Sequence, residues 1–90
     1  MCECSRRVRI VNDLGVHLRA AGALVQVAGR FGAEIWLNHN DARANAKSIM
    51  SVLSLAAGKG AELVVSAGGD DAQAAVDAIV ELIERGFELP

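Results

Sequence analysis

Four polar residues in succession, Asn38-His39-Asn40-Asp41, separate two short strand-like segments at the centre of the chain. Ala33-Glu34-Ile35-Trp36-Leu37 alternates apolar and polar positions before them, and residues 42–45 form the second segment. Turn residues between two such runs close a β-hairpin. A hairpin makes its strands antiparallel, because parallel neighbours need a crossover of about a dozen residues or more. The rest of the fold is built around that pair.

The flanking segments switch between two hydrophobic periods. Residues 5–12 alternate, with Val8 and Ile10 on one face and Arg7 and Arg9 on the wet one. Asn12-Asp13-Leu14-Gly15 is turn chemistry. Over residues 18–30, Ala21, Leu24, Val25 and Ala28 follow a helical period, with Gly32 as a stop after Phe31. Ser48 is placed to cap a short helix over 49–55, which Gly58-Lys59-Gly60 ends. Residues 61–67 are β-prone. From Ala72 onward, Ala75, Val76, Ile79, Val80, Leu82 and Ile83 mark the strongest helix, with Asp70 or Asp71 capping its start and Gly86 past its end. The order β-α-β-β-α-β-α, with its hairpin and short connections, predicts an α+β fold: a four-stranded antiparallel sheet with three helices on one face.

Ninety residues, 52% of them apolar, suit one domain over 1–90 with a single core. Met1-Cys2-Glu3-Cys4-Ser5 lacks the apolar stretch of a signal peptide and reads as a flexible N-terminal extension over 1–5. No run approaches the roughly 18 apolar residues of a membrane span, so a cytoplasmic protein without membrane insertion is expected. The net charge is −2, no basic stripe is visible, and the aromatics are only Phe31, Trp36 and Phe87. That combination argues against nucleic acid as a partner. Cys2 and Cys4 are too close in sequence for an unstrained mutual disulfide. Two thiols do not make a structural metal site, so neither metal nor cofactor is expected.

The chemistry concentrates at Asp13-Leu14-Gly15-Val16-His17-Leu18-Arg19. His17 stands where a turn meets a helix, and a neutral imidazole is a nucleophile near pH 7. Free backbone N–H groups and the positive end of the helix dipole favour an anion there. Arg19 adds a donor fork suited to phosphate oxygens. Ser48 combines a capping position with a hydroxyl that can carry phosphate. Ile49, Met50 and Leu53 beside it are expected to form an exposed apolar docking patch near His17, with core packing as the rival role. His39 reads as a solvated turn residue and Lys59 as a surface charge.

Three segments together resemble one family. Asn12-Asp13-Leu14-Gly15-Val16-His17-Leu18-Arg19, Asn45-Ala46-Lys47-Ser48-Ile49-Met50-Ser51-Val52 and Gly58-Lys59-Gly60-Ala61-Glu62 are similar to the signatures of HPr, the histidine-containing phosphocarrier of the bacterial phosphoenolpyruvate-dependent phosphotransferase system. The resemblance runs from about residue 6 to 86. It implies an open-faced β-sandwich in which His17 takes a phosphoryl group from Enzyme I and passes it to a IIA component. It also implies that Ser48 matches the serine modified by an ATP-dependent HPr kinase. The family usually has Pro after the motif Arg, where this chain has Ala20. Alanine is compatible with a first helical turn, so the departure bears on rate or partner choice more than on the chemistry.

Two other classes stay open at this point. One is a regulatory interaction module that binds a transcriptional regulator or kinase and is switched by phosphorylation, without serving sugar transport. The other is a small metal or redox module using Cys2, Cys4 and His39. A small carrier that docks several partners is most simply a monomer.

Overall fold

The computed structural model describes residues 2–88, with Cys2 described through its backbone alone. The elements are β1 (Cys2–Arg9), α1 (Leu18–Ala28), β2 (Glu34–His39), β3 (Ala42–Asn45), α2 (Ile49–Leu53), β4 (Glu62–Gly69) and α3 (Ala72–Glu84), followed by a turn at Gly86–Glu88. The strands form one sheet in the order β1-β4-β2-β3, antiparallel at every joint.

The central hairpin is present, with pairs running from Trp36↔Asn45 to His39↔Ala42. Two residues, Asn40 and Asp41, suffice for its turn. Asn40 adopts φ 54, a left-handed conformation that asparagine tolerates better than most side chains. Strand β2 therefore continues beyond Leu37 and takes in Asn38 and His39, both expected in the turn.

Strand β1 departs further from expectation. Residues 2–5 are strand rather than a flexible extension, because β4 is long enough to pair with each of them, from Cys2↔Gly69 to Ser5↔Ser66. The thiol-bearing Cys4 packs against the core. Regular strand ends at Arg9 rather than at residue 12. Ile10 still holds the β4 side, donating to Ala61 O at 2.9 Å and accepting from Gly60 N–H at 2.8 Å.

One face of the sheet carries the core. Val8, Ile35, Leu37, Ala44, Leu63, Val65 and Ala67 point inward and are buried, as their alternation along the strands requires. Helix α3 covers them with Ala72, Ala75, Val76, Ile79, Val80 and Ile83, packing on β1, β4 and β2. Helix α2 packs on β3, and α1 lies against both α2 and α3, burying Ala20, Ala21, Leu24 and Ala28. Truncating fully buried Leu24 to Ala is expected to cost about 2–5 kcal/mol. On the opposite, open face, the Arg43 guanidinium lies 4.1 Å from the centroid of the Trp36 ring.

Two helix ends differ from the sequence reading. Helix α1 stops at Ala28 with Gly29 as its C-cap, before Gly32. Bonds to the third residue back, Arg30 N–H to Val27 O and Phe31 N–H to Ala28 O, tighten the chain out of the helix. At α3 the N-cap residue is Asp71, but its side chain makes no capping bond. Its carboxylate instead accepts from Gly32 N–H at 2.9 Å and Ala33 N–H at 2.8 Å, tying α3 to the start of β2. No described helix is long and apolar enough to cross a membrane.

Candidate functional site

The segment between β1 and α1 is held from several directions. Asn12 is 5% exposed, and its Nδ2 donates to Gly15 O at 2.8 Å. Gly15 N–H returns a bond to Asn12 O at 3.2 Å. Gly15 has φ 64, and a Cβ there would meet Ala57 O at 2.5 Å and Gly58 Cα at 2.7 Å. Glycine is required on both counts, since other residues avoid positive φ and no atom could occupy that space. Val16 N–H donates to Ala57 O at 2.9 Å, and Lys59 pairs with Asp13 at 2.9 Å. The hydrogen bond and charge of Lys59 hold the Asp13 carboxyl below its ordinary range, and Asp13 raises Lys59 in return. The turn before α1 is thus packed onto the loop after α2.

His17 follows at the α1 N-cap in extended conformation, φ −97 and ψ −176. Its Nδ1 accepts the Arg19 N–H at 3.2 Å. Nδ1 is therefore the unprotonated nitrogen, and in the neutral ring the proton resides on Nε2. Nε2 is buried with no hydrogen-bond partner among the described residues. The free ring lone pair is the one turned toward the first turn of α1. Ala20, at the position where the family usually has Pro, is fully buried in that turn, and the helix forms through it with Ala21 N–H bonded to His17 O at 2.8 Å. The Arg19 side chain is exposed beside it.

Four of the five exposed large apolar side chains among the described residues lie on or just before α1 and α2, the fifth being Val11. Leu14 is 68% exposed, Leu18 65%, Met50 76% and Ile49 38%. Leu14 and Leu18 flank His17 in sequence, and α1 and α2 are in contact. Exposed large hydrophobics gathered on one region mark a contact surface more than scattered ones do. Of the three docking residues read from sequence, Ile49 and Met50 are exposed, whereas Leu53 is half-buried against the core. Leu14 and Leu18 are part of the histidine segment, and nothing in the spacing Leu14-Gly15-Val16-His17-Leu18 marks either as exposed.

Ser48 is the N-cap of α2, as the sequence predicts, its Oγ accepting Ser51 N–H at 3.3 Å. The neighbouring Lys47 turns away, its Nζ donating to Phe31 O at 2.7 Å. His39 ends β2 and is half-buried, with Nδ1 3.4 Å from Glu62 O. Among the described residues no three His, Cys, Asp or Glu side chains gather closely enough to hold a metal ion, and the Cys2 thiol lies outside what is described.

Comparison with known proteins agrees with this geometry. Residues 4–85 match the family described as PTS HPr component phosphorylation site. The chain is 46% identical to the phosphocarrier protein HPr of Treponema pallidum (strain Nichols), over 92% of this chain and 94% of that protein. It is 42% identical to the phosphocarrier protein HPr of Cupriavidus necator, over 91% and 92% respectively. The crystal structure of HPr-C-His from Thermoanaerobacter tengcongensis superposes with a TM-score of 0.88 at 39% identity, covering 100% of this chain and 99% of that one. With the open-faced sheet, the histidine-capped helix and all three sequence signatures in place, the chain belongs to the HPr family of phosphocarriers of the phosphotransferase system.

Proposed function

We propose that His17 is the phosphoryl acceptor, charged by Enzyme I from phosphoenolpyruvate and discharged to a IIA component. The observation that carries this reading is the orientation of its ring: Nδ1 faces the α1 N-terminus as an acceptor while Nε2 is buried. In the transfer, the Nδ1 lone pair forms a bond to phosphorus as the bond from phosphorus to the donor breaks. The Arg19 N–H then turns from the ring to a phosphoryl oxygen, and the helix end contributes about 0.3–2 kcal/mol toward the anion. Arg19 neutralises further charge with its guanidinium. The proton stays on Nε2, which leaves the ring cationic and a good leaving group for the next transfer. A modest hold suits a phosphate that must depart.

Docking in this reading uses Leu14, Leu18, Ile49 and Met50, with Leu53 as support beneath them. Ser48 is the regulatory site. Phosphate there brings about −1.5 to −2 charges to the rim of the apolar surface. A helix N-terminus accommodates that charge, so the fold persists while an acidic partner is repelled.

Incubation with phosphoenolpyruvate and purified Enzyme I tests the proposal, with intact mass and acid lability as readouts. An acid-labile gain of one phosphoryl group, absent in His17→Ala, is expected. No gain with an Enzyme I that charges another HPr would overturn the carrier reading for that partner. Charging that persists in His17→Ala would overturn the site.

A further inference from the structure

Asn12 is the one buried polar residue among the described core. It lies five positions before His17, and its side chain makes no hydrogen bond to the imidazole among the described residues. Its Nδ2 holds the Gly15 carbonyl at 2.8 Å, and the same carbonyl accepts His17 N–H at 3.1 Å. One oxygen thus joins the Asn12 amide to the backbone of the histidine. The clamp closes on a residue with little freedom, since Gly15 has φ 64 and its Cα hydrogen faces Ala57 O and Gly58 Cα. From the other side, a Cβ on Gly86 would lie 3.4 Å from Asn12 Cβ, so the turn after α3 seats the asparagine. Asn12 Oδ1 is buried without a partner among the described residues. An amide kept in the core with one end unpaired is a poor choice for stability alone, because a buried polar group without a hydrogen bond is unfavourable.

We infer that Asn12 is a positioning residue for phosphoryl transfer. It fixes the Gly15 carbonyl, and through that carbonyl the backbone of His17, so that Nδ1 meets the incoming phosphorus at the mouth of α1. This rests on the reading of His17 as the acceptor. Without the Nδ2 donor, Gly15 O keeps only the His17 N–H, the turn from 12 to 17 gains freedom, and the ring samples other orientations. Misplacement of a reacting group by a fraction of an ångström lowers the rate of the chemical step without weakening partner binding.

The test compares wild type with Asn12→Ala, well below the unfolding temperature of each. Wild-type charging at His17 by Enzyme I and phosphoenolpyruvate is established first; its failure would count against the acceptor reading and not against the clamp. Given that charging, Asn12→Ala is expected to lower kcat about tenfold while the KM for Enzyme I stays within about twofold, because Leu14, Leu18, Ile49 and Met50 are untouched. Nitrogen NMR of the His17 ring is expected to show a changed tautomer balance. A variant that melts earlier but keeps wild-type kcat and an unchanged His17 tautomer balance would overturn the inference, since that pattern belongs to a purely structural asparagine. Should the variant not fold, the wild-type protein decides. One Asn12 side-chain amide proton is expected to exchange slowly with solvent, and fast exchange of both would overturn the clamp.

Discussion

The starts of α1 and α3 put their N-cap residues to opposite uses, His17 in extended conformation (φ −97, ψ −176) and Asp71 at φ −105, ψ 25. At α3 the N-cap Asp71 turns its carboxylate outward to two N–H groups of the β2 approach, at 2.9 and 2.8 Å. At α1 the N-cap is an imidazole with one bond, to Arg19 N–H at 3.2 Å. Carboxylates bonded to backbone N–H groups are among the stronger hydrogen bonds, whereas a single neutral contact at that length is weak. The first arrangement spends a side chain on holding two elements together. The second leaves donors uncommitted beside a nucleophile. On the proposed reading of His17, stability and function are carried by different helix ends, and substitutions can separate them.

Replacing His17 gives the largest effect. His17→Ala is expected to abolish phosphoryl uptake from Enzyme I, measured by intact mass. Its stability in denaturant should change by no more than about 1 kcal/mol, since one weak capping bond is lost. A large loss of stability in that variant would mean that the imidazole also carries structure, and the contrast with Asp71 would fail.

Gly15→Ala is expected to damage both properties. The methyl group requires a positive φ that alanine disfavours and a position 2.5 Å from Ala57 O. Strain and displacement of this kind cost about 1–3 kcal/mol. Because Val16 N–H is bonded to the same Ala57 carbonyl, the displaced turn carries His17 with it, and transfer should slow together with the fall in unfolding midpoint.

The sequence made α3, the hairpin and the His17 turn legible because each has a local signal: periodicity, turn residues, or a motif at fixed spacing. The reading failed where a distant partner decides the outcome. Residues 2–5 look like a loose end until β4 proves long enough to pair with them. Asp71 looks like a cap until Gly32 and Ala33, some 38 residues away, are found to need acceptors. His39 looks like turn until Asn40 closes the hairpin in two residues. As candidate site residues, His17, Arg19 and Ser48 were legible from their places at helix starts. Leu14, Leu18 and Asn12 were not, because exposure of an apolar side chain and burial of a polar one are properties of the packed loops and not of spacing.

Ser48 offers a smaller test of the same contrast, since its Oγ, like the His17 ring, accepts one N–H from the first turn of its own helix. Ser48→Ala is expected to cost about 1 kcal/mol in chemical denaturation, as for other lost N-caps. Ser48→Asp keeps an acceptor at that position and should retain most of the stability. The added charge beside Met50 should nevertheless slow charging by Enzyme I, and moderate salt should relieve part of the effect because exposed charges are screened. Equal rates for wild type and Ser48→Asp would remove Ser48 from the docking surface.

Asp71 supplies the smallest effect and the sharpest separation. The Gly32 N–H, with further contributions from the Ala33 N–H, its own N–H and the nearby Lys47, holds its folded-state pKa below the ordinary value of 3.8 despite partial desolvation. A carboxylate with a depressed folded pKa stabilises the protein fully above its unfolded pKa, and the stabilisation is lost as pH falls through the folded value. Asp71→Asn keeps the shape but has no charge to lose. Wild type should therefore be more stable than the variant at neutral pH, and the gap should hold down to about pH 4 and close below it as Asp71 is protonated. Charging of His17 at neutral pH should be the same in both proteins, because Asp71 bonds only to the α1–β2 connection. A gap that stayed constant into acid would show that the two N–H bonds do not depend on charge. A change in His17 charging would show that the two helix ends are coupled after all.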